Sequence, residues 1–398
     1  MTRKKVMILA MAAVMAVFGV TGCKKKGKTV EEDVLIIGGQ NPETGAMADY
    51  GSKTVLGAQI AIDEINANGG INGKKIKFLH YDSRGEKTDA VNLTRRLIKE
   101  NACAIIGEIT SGGFLAMKEI ANDGGVVAIS TGGTAEHLTE RRLKDGKYEH
   151  IPFAFRNTLQ DSEGAPSLVN YLVTTKNFKN FALITSNNND YSVGLSQFFR
   201  DAIKKSGAKI IIEESINDGE NDVSAQVTQI KKAKNLDAVI FTGYYQEAAY
   251  LLMAMKSLGI KVPLVGGDGF QSPDLWKIAG KDAVGAIFYS GFSAESERDQ
   301  VKAFNAKMVS AGKESDTFSA QGYDAAYLLA NAMKIANVTD CSKVSRDAIR
   351  AALQDTKDFE GVTGVMSIDE TGSAVRAPFL LEVVEKEDKS IGTRIINQ

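Results

Sequence analysis

The sequence has few residues of the kinds that build metal centres or strongly charged binding surfaces. Its 398 residues include only three histidines, three cysteines, six prolines and one tryptophan. His80, His137 and His150 show no metal-ligand spacing with one another or with cysteine. The formal net charge of -1 gives no general electrostatic reason to bind nucleic acid. We therefore expect no metal site and no nucleic-acid partner.

The motifs of nucleotide-dependent enzymes are also missing. A Gly-rich turn between a strand-like run and a helical pattern occurs in VLIIGGQNPETGAMADYGSK. It lacks GxGxxG, and Gly51 is followed by Ser52 rather than by the lysine of a phosphate-binding loop. No GxSxG nucleophile motif is present. We expect no cofactor and no enzymatic activity, and a nucleotide-dependent enzyme is the least favoured alternative.

The N-terminal hydrophobic run is too short for a transmembrane helix. It covers 6–20, below the ~20 residues needed to span a bilayer, and a basic stretch at 3–5 precedes it. A basic start, a short apolar core and small residues before a cut site are typical of a signal peptide, here 1–22. VTGC resembles a bacterial lipobox, so we expect lipidation of Cys23, with 23–32 as a tether. A plain soluble secreted protein is the alternative.

Two cysteines remain in the mature chain, Cys103 and Cys341. In an exported protein they can form a disulfide. Cys103 lies in an apolar, strand-like run, where a buried free thiol is the alternative. The sequence leaves both interpretations open.

Strand-length apolar runs alternate with helix-period stretches along most of the chain. In the first half the strands are VLIIGG, KIKFLHYD, CAIIGE and VVAIS, with helices predicted over 48–68 and 86–100. After Pro152 the alternation restarts with FALITS, KIIIEES, DAVIFTG and VPLVGG. The helices predicted in this second half cover 191–205, 223–234 and 245–258.

The two halves resemble each other. YDSRGEKTDAVNLTRRLIKENACAIIGE and INDGENDVSAQVTQIKKAKNLDAVIFTG share an acidic loop, an amphipathic helix and a buried strand that ends in glycine or shortly after it. This repeat predicts an α/β fold with two doubly wound, mainly parallel-sheet lobes. A strand over 284–290, helices near 297–311, 317–336 and 343–354, and strand-like GVMSI and APFLLEVV follow. This long remainder indicates that the chain passes between the lobes more than once.

Polar loops follow the strands at the edge where open parallel sheets bind ligands. In the first half these loops are TSGG (110–113) and STGGT (130–134), which offer hydroxyls and free N–H groups at helix N-termini. Such groups and the helix dipole can hold one negative charge without a cationic side chain. Ordinary helix capping by Ser and Thr is the alternative for each loop.

The corresponding loops of the second half carry aromatic and acidic side chains instead. Tyr191, Tyr244 and Tyr245 follow strands, and Asp268 lies between glycines in GGDGF. An acid at this edge can pair with a cation, although a cap or turn role for Asp268 is the alternative. Facing an anion site across a cleft, Asp268 completes a site for a molecule that carries both charges.

These residues make the chain resemble the periplasmic branched-chain amino-acid binding proteins of ABC transporters. The resemblance rests on GAMADYG, AIDEINANGGINGKKIKFLHYD, IIGEITSG, AISTGGTAEHLT, FRNTLQDSEGAP, TGYYQEAA, GGDGF and YDAAYLLANAM, in this order. It implies a type I periplasmic-binding fold whose two lobes are joined by three crossovers, near 150–157, 280–290 and 358–366. The implied lobes are 33–153 with 286–360, and 154–285 with 361–398.

The resemblance also implies a ligand site. Ser111 and Thr134, with backbone around Gly132 in the loop that starts at Ser130, would hold a carboxylate, and Asp268 would meet an ammonium group. The implied aromatic and hinge residues are Tyr50, Tyr191, Tyr245 and Tyr323. Asp268 stands where a longer Glu is common in this family, and the cysteine pair of some members is replaced by Ser83, Arg84 and Thr110.

The function implied is capture of a small, aliphatic amino acid outside the cytoplasmic membrane and delivery to an ABC permease. We expect a monomer that is attached to the membrane by its N-terminal lipid. An amide, a urea or an aromatic carboxylate is the alternative class of ligand for the same fold.

Overall fold

The structure is a computed structural model that describes residues 34–397. Its first seven strands are β1 (Leu35–Asn41), β2 (Ile76–Asp82), β3 (Ala104–Ile106), β4 (Val127–Ser130), β5 (Glu140–Arg142), β6 (Tyr148–His150) and β7 (Ala154–Arg156). Five of them form a parallel sheet in the order β2-β1-β3-β4-β7. The other two, β5 and β6, pair as a hairpin.

A second sheet of seven strands follows. The remaining strands are β8 (Asn180–Ser186), β9 (Lys209–Ile216), β10 (Ala238–Phe241), β11 (Leu264–Gly266), β12 (Ile287–Ser290), β13 (Phe359–Gly361), β14 (Gly364–Ile368), β15 (Ala374–Val375), β16 (Phe379–Glu385) and β17 (Ile391–Ile395). The sheet order is β17-β16-β12-β11-β10-β8-β9, parallel from β12 to β9 and antiparallel at β16 and β17. A small antiparallel sheet joins β13, β14 and β15.

Helices cover the sheets. They are α1 (Ala48–Ala67), α2 (Lys87–Lys99), α3 (Ser111–Asp123), α4 (Asp161–Thr174), α5 (Asp190–Ser206), α6 (Ser224–Ile230), α7 (Tyr245–Ser257), α8 (Pro273–Ala279), α9 (Asp299–Ser310), α10 (Thr317–Ile335) and α11 (Lys343–Gln354). Short 3-10 turns occur at Asp268–Phe270 and Gly280–Ala283. Most helices predicted from periodicity begin and end within two residues of these bounds, but α6 ends early, at Ile230.

We call 34–156 with 291–375 the first lobe and 157–290 with 376–397 the second lobe, according to the sheet on which each segment packs. The chain therefore passes between the sheets three times. Strand pairing shifts the expected boundaries, because β7 belongs to the first sheet and β12 to the second. The second passage follows Ser290 rather than 285, and the third follows Val375 rather than 360. An apolar run predicts a strand locally but carries no information about its partner.

The crossing of α1 and α10 brings the cleft-facing ends of both helices together. A Cβ on Gly57 would lie 2.0 Å from the Ser319 carbonyl oxygen, and one on Gly322 would lie 2.2 Å from that of Thr54. Only glycine permits this approach. One consequence is that Tyr50 of α1 stacks on Phe318 of α10, with ring centroids 4.1 Å apart.

The two remaining cysteines form a disulfide. Cys103, directly before β3, is bonded to Cys341, which precedes α11, across 238 residues of sequence. This bond decides between the two alternatives that the sequence left open, and it ties the returning segment of the first lobe to its sheet.

The predictions for the N-terminus, including the signal peptide, the tether and lipidation of Cys23, lie outside the described residues. Within 34–397 no helix combines the length and the apolar character that a membrane span requires.

Candidate functional site

A small cavity lies between the two lobes, at the carboxyl ends of the strands. Its free volume is about 20 Å³, roughly the space of one water molecule, so the walls lie close together in this arrangement. Its lining comes from both lobes: Tyr50, Ile109, Thr110, Ser111, Gly132, Tyr191, Tyr244, Asp268, Gly269 and Phe318. A ligand larger than water would have to move these wall side chains apart.

The first-lobe wall is the turn from β3 into α3. Thr110 is the N-cap of α3, and its hydroxyl accepts a hydrogen bond from the Gly113 N–H at 3.1 Å. Ser111 Oγ accepts one from the Ala135 N–H at 3.3 Å, which joins this turn to the loop after β4. The N–H groups of Ser111 and Gly112 form no hydrogen bond among the described residues. The Ser111 N–H and the positive end of a helix dipole therefore meet at the cavity, and the Gly112 N–H follows directly in the same helix turn.

The loop after β4 contributes one wall residue, Gly132. A Cβ there would lie 2.6 Å from the Ile109 carbonyl oxygen, so glycine lets the two loops pack together. Ser130 was expected in the site, but it does not line the cavity. Its hydroxyl donates to the Glu108 carbonyl at 2.6 Å and accepts from the Gly133 N–H at 3.1 Å, which is a capping role.

Thr134 is buried behind the cavity wall rather than in it. Its carbonyl accepts a hydrogen bond from the Asp161 N–H at 3.0 Å. Its hydroxyl faces the Asp161 carboxyl closely enough to lower the pKa of that group, although not in a geometry that makes a full hydrogen bond. In this closed arrangement Thr134 connects the loop after β4 to the start of α4.

The second-lobe wall presents a buried acid, Asp268, in the 3-10 turn after β11. The Tyr191 hydroxyl donates to Asp268 Oδ1 at 3.1 Å. Within residues 34–397 no ion pair includes Asp268. Burial, together with the negative charge of Asp161, raises the pKa of Asp268 well above its usual range. A cation that entered this cavity would stabilise the ionised form.

Asp161 adds to the negative potential behind this wall. It is fully buried at the start of α4 and accepts a hydrogen bond from the Tyr289 hydroxyl at 2.6 Å. Burial raises its pKa to about 6, although the Tyr289 and Thr134 hydroxyls and the charge of Arg156 oppose this shift. The two acids therefore make the second-lobe side of the cavity a favourable place for positive charge.

Aromatic rings form the rest of the wall. Tyr191 and Tyr244 stack with centroids 5.4 Å apart and planes 10° from parallel. Tyr50 meets the Tyr244 ring edge-on at 6.0 Å. With Phe318 and Ile109, these rings give the cavity an apolar surface between its two polar ends.

Hydrogen bonds between the lobes close the cavity. The Tyr50 hydroxyl donates to the Gly269 carbonyl at 2.5 Å and accepts from the Tyr245 N–H at 3.3 Å. The Tyr245 hydroxyl donates to the Ala46 carbonyl at 3.1 Å, and Ser272 Oγ donates to Asp49 Oδ2 at 2.6 Å. The structure is therefore a closed one.

Like Ser130 and Thr134, two further residues expected in the site do not line the cavity. Tyr245 packs against Tyr50 and bridges the lobes, while its neighbour Tyr244 forms the wall. Tyr323 lies elsewhere in the first lobe, where its hydroxyl donates to Glu64 Oε2 at 2.7 Å and accepts from Lys307 Nζ at 2.9 Å.

Sequence reasoning missed several wall residues: Ile109, Thr110, Tyr244, Gly269 and Phe318. Tyr244 and Thr110 stand in the polar loops already singled out, so position at a strand end was the available signal. Phe318 had no such signal, because it belongs to a segment that returns from the second lobe.

No group of three or more His, Cys, Asp or Glu side chains in the described part of the chain is placed to hold a metal ion. The polar groups of the cavity instead form an anion-binding end of N–H and hydroxyl donors and a cation-binding end of carboxylates.

Comparison with known proteins identifies the family. Residues 35–389 match the model of the family described as "Periplasmic binding protein". The chain belongs to the periplasmic binding protein family. This match, together with the solved structures below, confirms the α/β fold with two mainly parallel sheets that was expected from the sequence.

Relatives and solved structures agree with this membership. The Leu/Ile/Val-binding protein BraC3 of Rhizobium johnstonii is 28% identical over 348 residues, covering 87% of this chain and 90% of that protein. The isoleucine complex of the branched-chain amino acid transporter substrate-binding protein LivJ from Streptococcus pneumoniae is 33% identical, with a TM-score of 0.81. That similarity covers 91% of this chain and 99% of LivJ. The leucine-binding protein LivK from Thermotoga maritima is 28% identical, with a TM-score of 0.81 over 92% of this chain and 99% of LivK.

Proposed function

We propose that this chain is an extracytoplasmic receptor that binds a small aliphatic amino acid between its lobes and delivers it to an ABC permease. The observation that carries the proposal is Asp268, a buried carboxyl with no cationic partner among the described residues, in a closed cavity opposite an anion-binding loop. An α-amino acid supplies the two charges that such a cavity can hold. The ligands named for BraC3 and LivJ support the same class.

The carboxylate end of the ligand is assigned to the first lobe. Ser111 Oγ, the N–H groups of Ser111 and Gly112, and the backbone at Gly132 offer hydrogen bonds there without a positive side chain. Hydrogen bonds to a charged group contribute roughly 1.5–3 kcal/mol each. A cationic side chain in this loop would be redundant, because the ligand brings its own counter-charge.

The ammonium end is assigned to Asp268. Burial of this acid without a cation is unfavourable, so closure of the empty protein is disfavoured when Asp268 is ionised. A bound ammonium group removes that penalty. Ligand binding is thereby coupled to closure, and closure is the difference that a permease can recognise.

The side-chain end of the ligand is assigned to the aromatic wall. Tyr50, Phe318, Tyr244 and Ile109 present the apolar surface against which a small aliphatic side chain would pack. The cavity has no place for a nucleotide, and we assign no chemical step to these residues. We further propose that the receptor acts as a monomer and is attached to the membrane through Cys23.

Calorimetry with leucine, isoleucine and valine tests the assignment of Asp268. The variant Asp268→Asn keeps the shape of the side chain and removes its charge, and we expect it to lose about 2 kcal/mol or more of binding free energy. Asp201→Asn, which alters an exposed acid on α5 of the same lobe, is the matched control and should bind normally. Unchanged affinity in Asp268→Asn would contradict the ammonium role.

A further inference from the structure

A second buried acid, Glu108, lies directly beneath the anion-binding loop. It is 1% exposed and belongs to the turn between β3 and α3. Its carboxyl rests against the first turn of α3, where a Cβ on Gly113 would lie 2.9 Å from Oε2. Its carbonyl accepts the hydrogen bond from Ser130 Oγ. Glu108 therefore touches both loops to which the ligand carboxylate is assigned.

The carboxyl group of Glu108 lacks hydrogen bonds within residues 34–397. Neither of its oxygen atoms takes part in a hydrogen bond with the described residues. The Ser83 hydroxyl faces it closely enough to lower its pKa, but not in a geometry that makes a full hydrogen bond. A buried carboxylate in such surroundings is strongly disfavoured relative to the neutral acid.

The charged group that acts on Glu108 has the same sign. Asp82, at the end of β2, is itself kept ionised. Burial opposes its ionisation, but hydrogen bonds from the Thr44 hydroxyl and from the Arg84 and Glu43 N–H groups lower its pKa. The groups that the start of α3 presents to Glu108, Thr110 and Gly113, are neutral. Lys87, whose ammonium group lies over Gly112 on the other side of this turn, is paired with Asp190. Burial first, and then the charge of Asp82, raise the pKa of Glu108 to about 8.

We propose that Glu108 is a positioning residue whose neutral form allows the loop to accept an anion, and whose ionisation switches ligand binding off. The inference rests on the proposed function, because it concerns the ligand carboxylate of that same site. An ionised Glu108 would place a negative charge under the N-terminus of α3. There it would repel the ligand carboxylate and would cancel part of the favourable potential of the helix dipole. With Glu108 neutral, the helix dipole attracts the ligand carboxylate without this opposing charge.

The direction of the pH effect follows from linkage. A bound carboxylate raises the pKa of Glu108 further, so above about pH 8 the complex must take up a proton that the free protein has lost. Affinity therefore falls as pH rises through that value. A glutamine at this position cannot ionise and should abolish this part of the pH dependence.

The experiment measures leucine affinity by calorimetry between about pH 7 and pH 9.5. We expect wild-type affinity to fall by about tenfold relative to Glu108→Gln across this range, because only the wild type gains a charge. Ionisation of the leucine ammonium and of Asp268 affects both proteins equally and cancels in their ratio. The matched control is Glu247→Gln in α7, a buried glutamate outside the cavity whose pKa burial raises to about 7. It should follow the wild-type profile.

A constant affinity ratio between wild type and Glu108→Gln would overturn the role of Glu108 while leaving the proposed function intact. No amino-acid binding by either protein near neutral pH would overturn the proposed function and this inference with it. Carbon-13 NMR of the wild-type glutamate carboxyl groups provides a test that does not depend on the variant folding. A carboxyl signal that titrates near pH 8 and shifts to higher pH with leucine is expected. The absence of any leucine-sensitive glutamate titration above about pH 7 would also overturn the inference.

Discussion

The Tyr50 hydroxyl of the first lobe donates a hydrogen bond of 2.5 Å to the Gly269 carbonyl of the second lobe. Gly269 directly follows Asp268, so this bond fixes the position of the loop that carries the buried acid. The same hydroxyl accepts from the Tyr245 N–H at 3.3 Å. One side chain therefore connects the closed state of the cleft to the geometry of the proposed ammonium site.

Removal of this hydroxyl should weaken closure without disturbing the first lobe. In Tyr50→Phe the ring still stacks on Phe318, but the Gly269 carbonyl is left without its donor, which costs about 1–3 kcal/mol when the group is buried. We expect leucine affinity to fall by that amount, with little change in the thermal stability of the ligand-free protein. Calorimetry and thermal unfolding measure the two quantities.

Tyr250→Phe is the control for this variant. The Tyr250 hydroxyl accepts a hydrogen bond from Gln246 on the same helix and makes no contact with the cavity. Equal affinities for leucine in Tyr50→Phe and Tyr250→Phe would show that the bond to Gly269 does not support closure.

A buried ion pair lies beside the cleft, and its loss should destabilise the fold. Lys53 Nζ lies 2.9 Å from both Asp49 Oδ2 and Asp316 Oδ2, and the lysine side chain is only 4% exposed. Lys53→Met would leave the two acids without their cation, which costs about 3–5 kcal/mol of unfolding free energy. Lys302→Met removes the partner of Glu297 in a fully exposed pair and should change the unfolding free energy far less. Urea denaturation that gave similar values for both variants would refute the contribution assigned to Lys53.

Because Asp268 is a buried acid, we expect leucine to stabilise the folded protein more as the pH rises towards neutrality. Burial raises the pKa of Asp268 in the folded protein above its value in the unfolded chain. The neutral acid therefore stabilises the fold fully at a pH below the unfolded-state pKa, and this stabilisation is lost as the pH rises through the folded-state pKa. A bound ammonium group lowers that pKa and restores the lost stability. The increase in melting temperature caused by leucine should therefore be larger at about pH 7 than at about pH 5.

The control for this pH effect is Asp268→Asn. That variant should show a smaller shift that changes less between the two pH values, since only Asp161 still titrates near the ammonium site. A wild-type shift that is equal at both, or larger at the lower pH, would contradict the assigned role.

The disulfide should stabilise the first lobe without shaping the site. Loss of the Cys103–Cys341 bond, which closes a long loop, should cost about 2–5 kcal/mol of unfolding free energy. Neither cysteine lines the cavity, so leucine affinity in the double Cys→Ala variant should stay within about twofold of wild type. Denaturation and calorimetry on the variant test both parts, and a large loss of affinity would contradict the second.

Local patterns in the sequence predicted eight of the eleven helices of the described residues, most strands of the two large sheets, and the polar loops, because periodicity and strand-end position are short-range properties. The choice of wall residues was less accurate. Phe318 and Tyr323 both lie on α10, but five positions rotate a side chain by about 140°, so Phe318 faces the cavity while Tyr323 faces Glu64. Tyr244 and Tyr245 are adjacent, and only tertiary packing decides which ring reaches the ligand. Which of the two sheets includes β12 likewise depends on long-range strand pairing.

The most direct test of the proposed receptor is a calorimetric comparison of three ligands on the wild-type protein. Leucine carries both charges, leucinamide lacks the carboxylate, and the corresponding α-hydroxy acid lacks the ammonium group. If the Ser111 loop holds the carboxylate and Asp268 the ammonium, leucine binds and each truncated analogue binds about 100-fold more weakly or not at all. An analogue that bound as tightly as leucine would contradict the assignment of the corresponding end of the cavity.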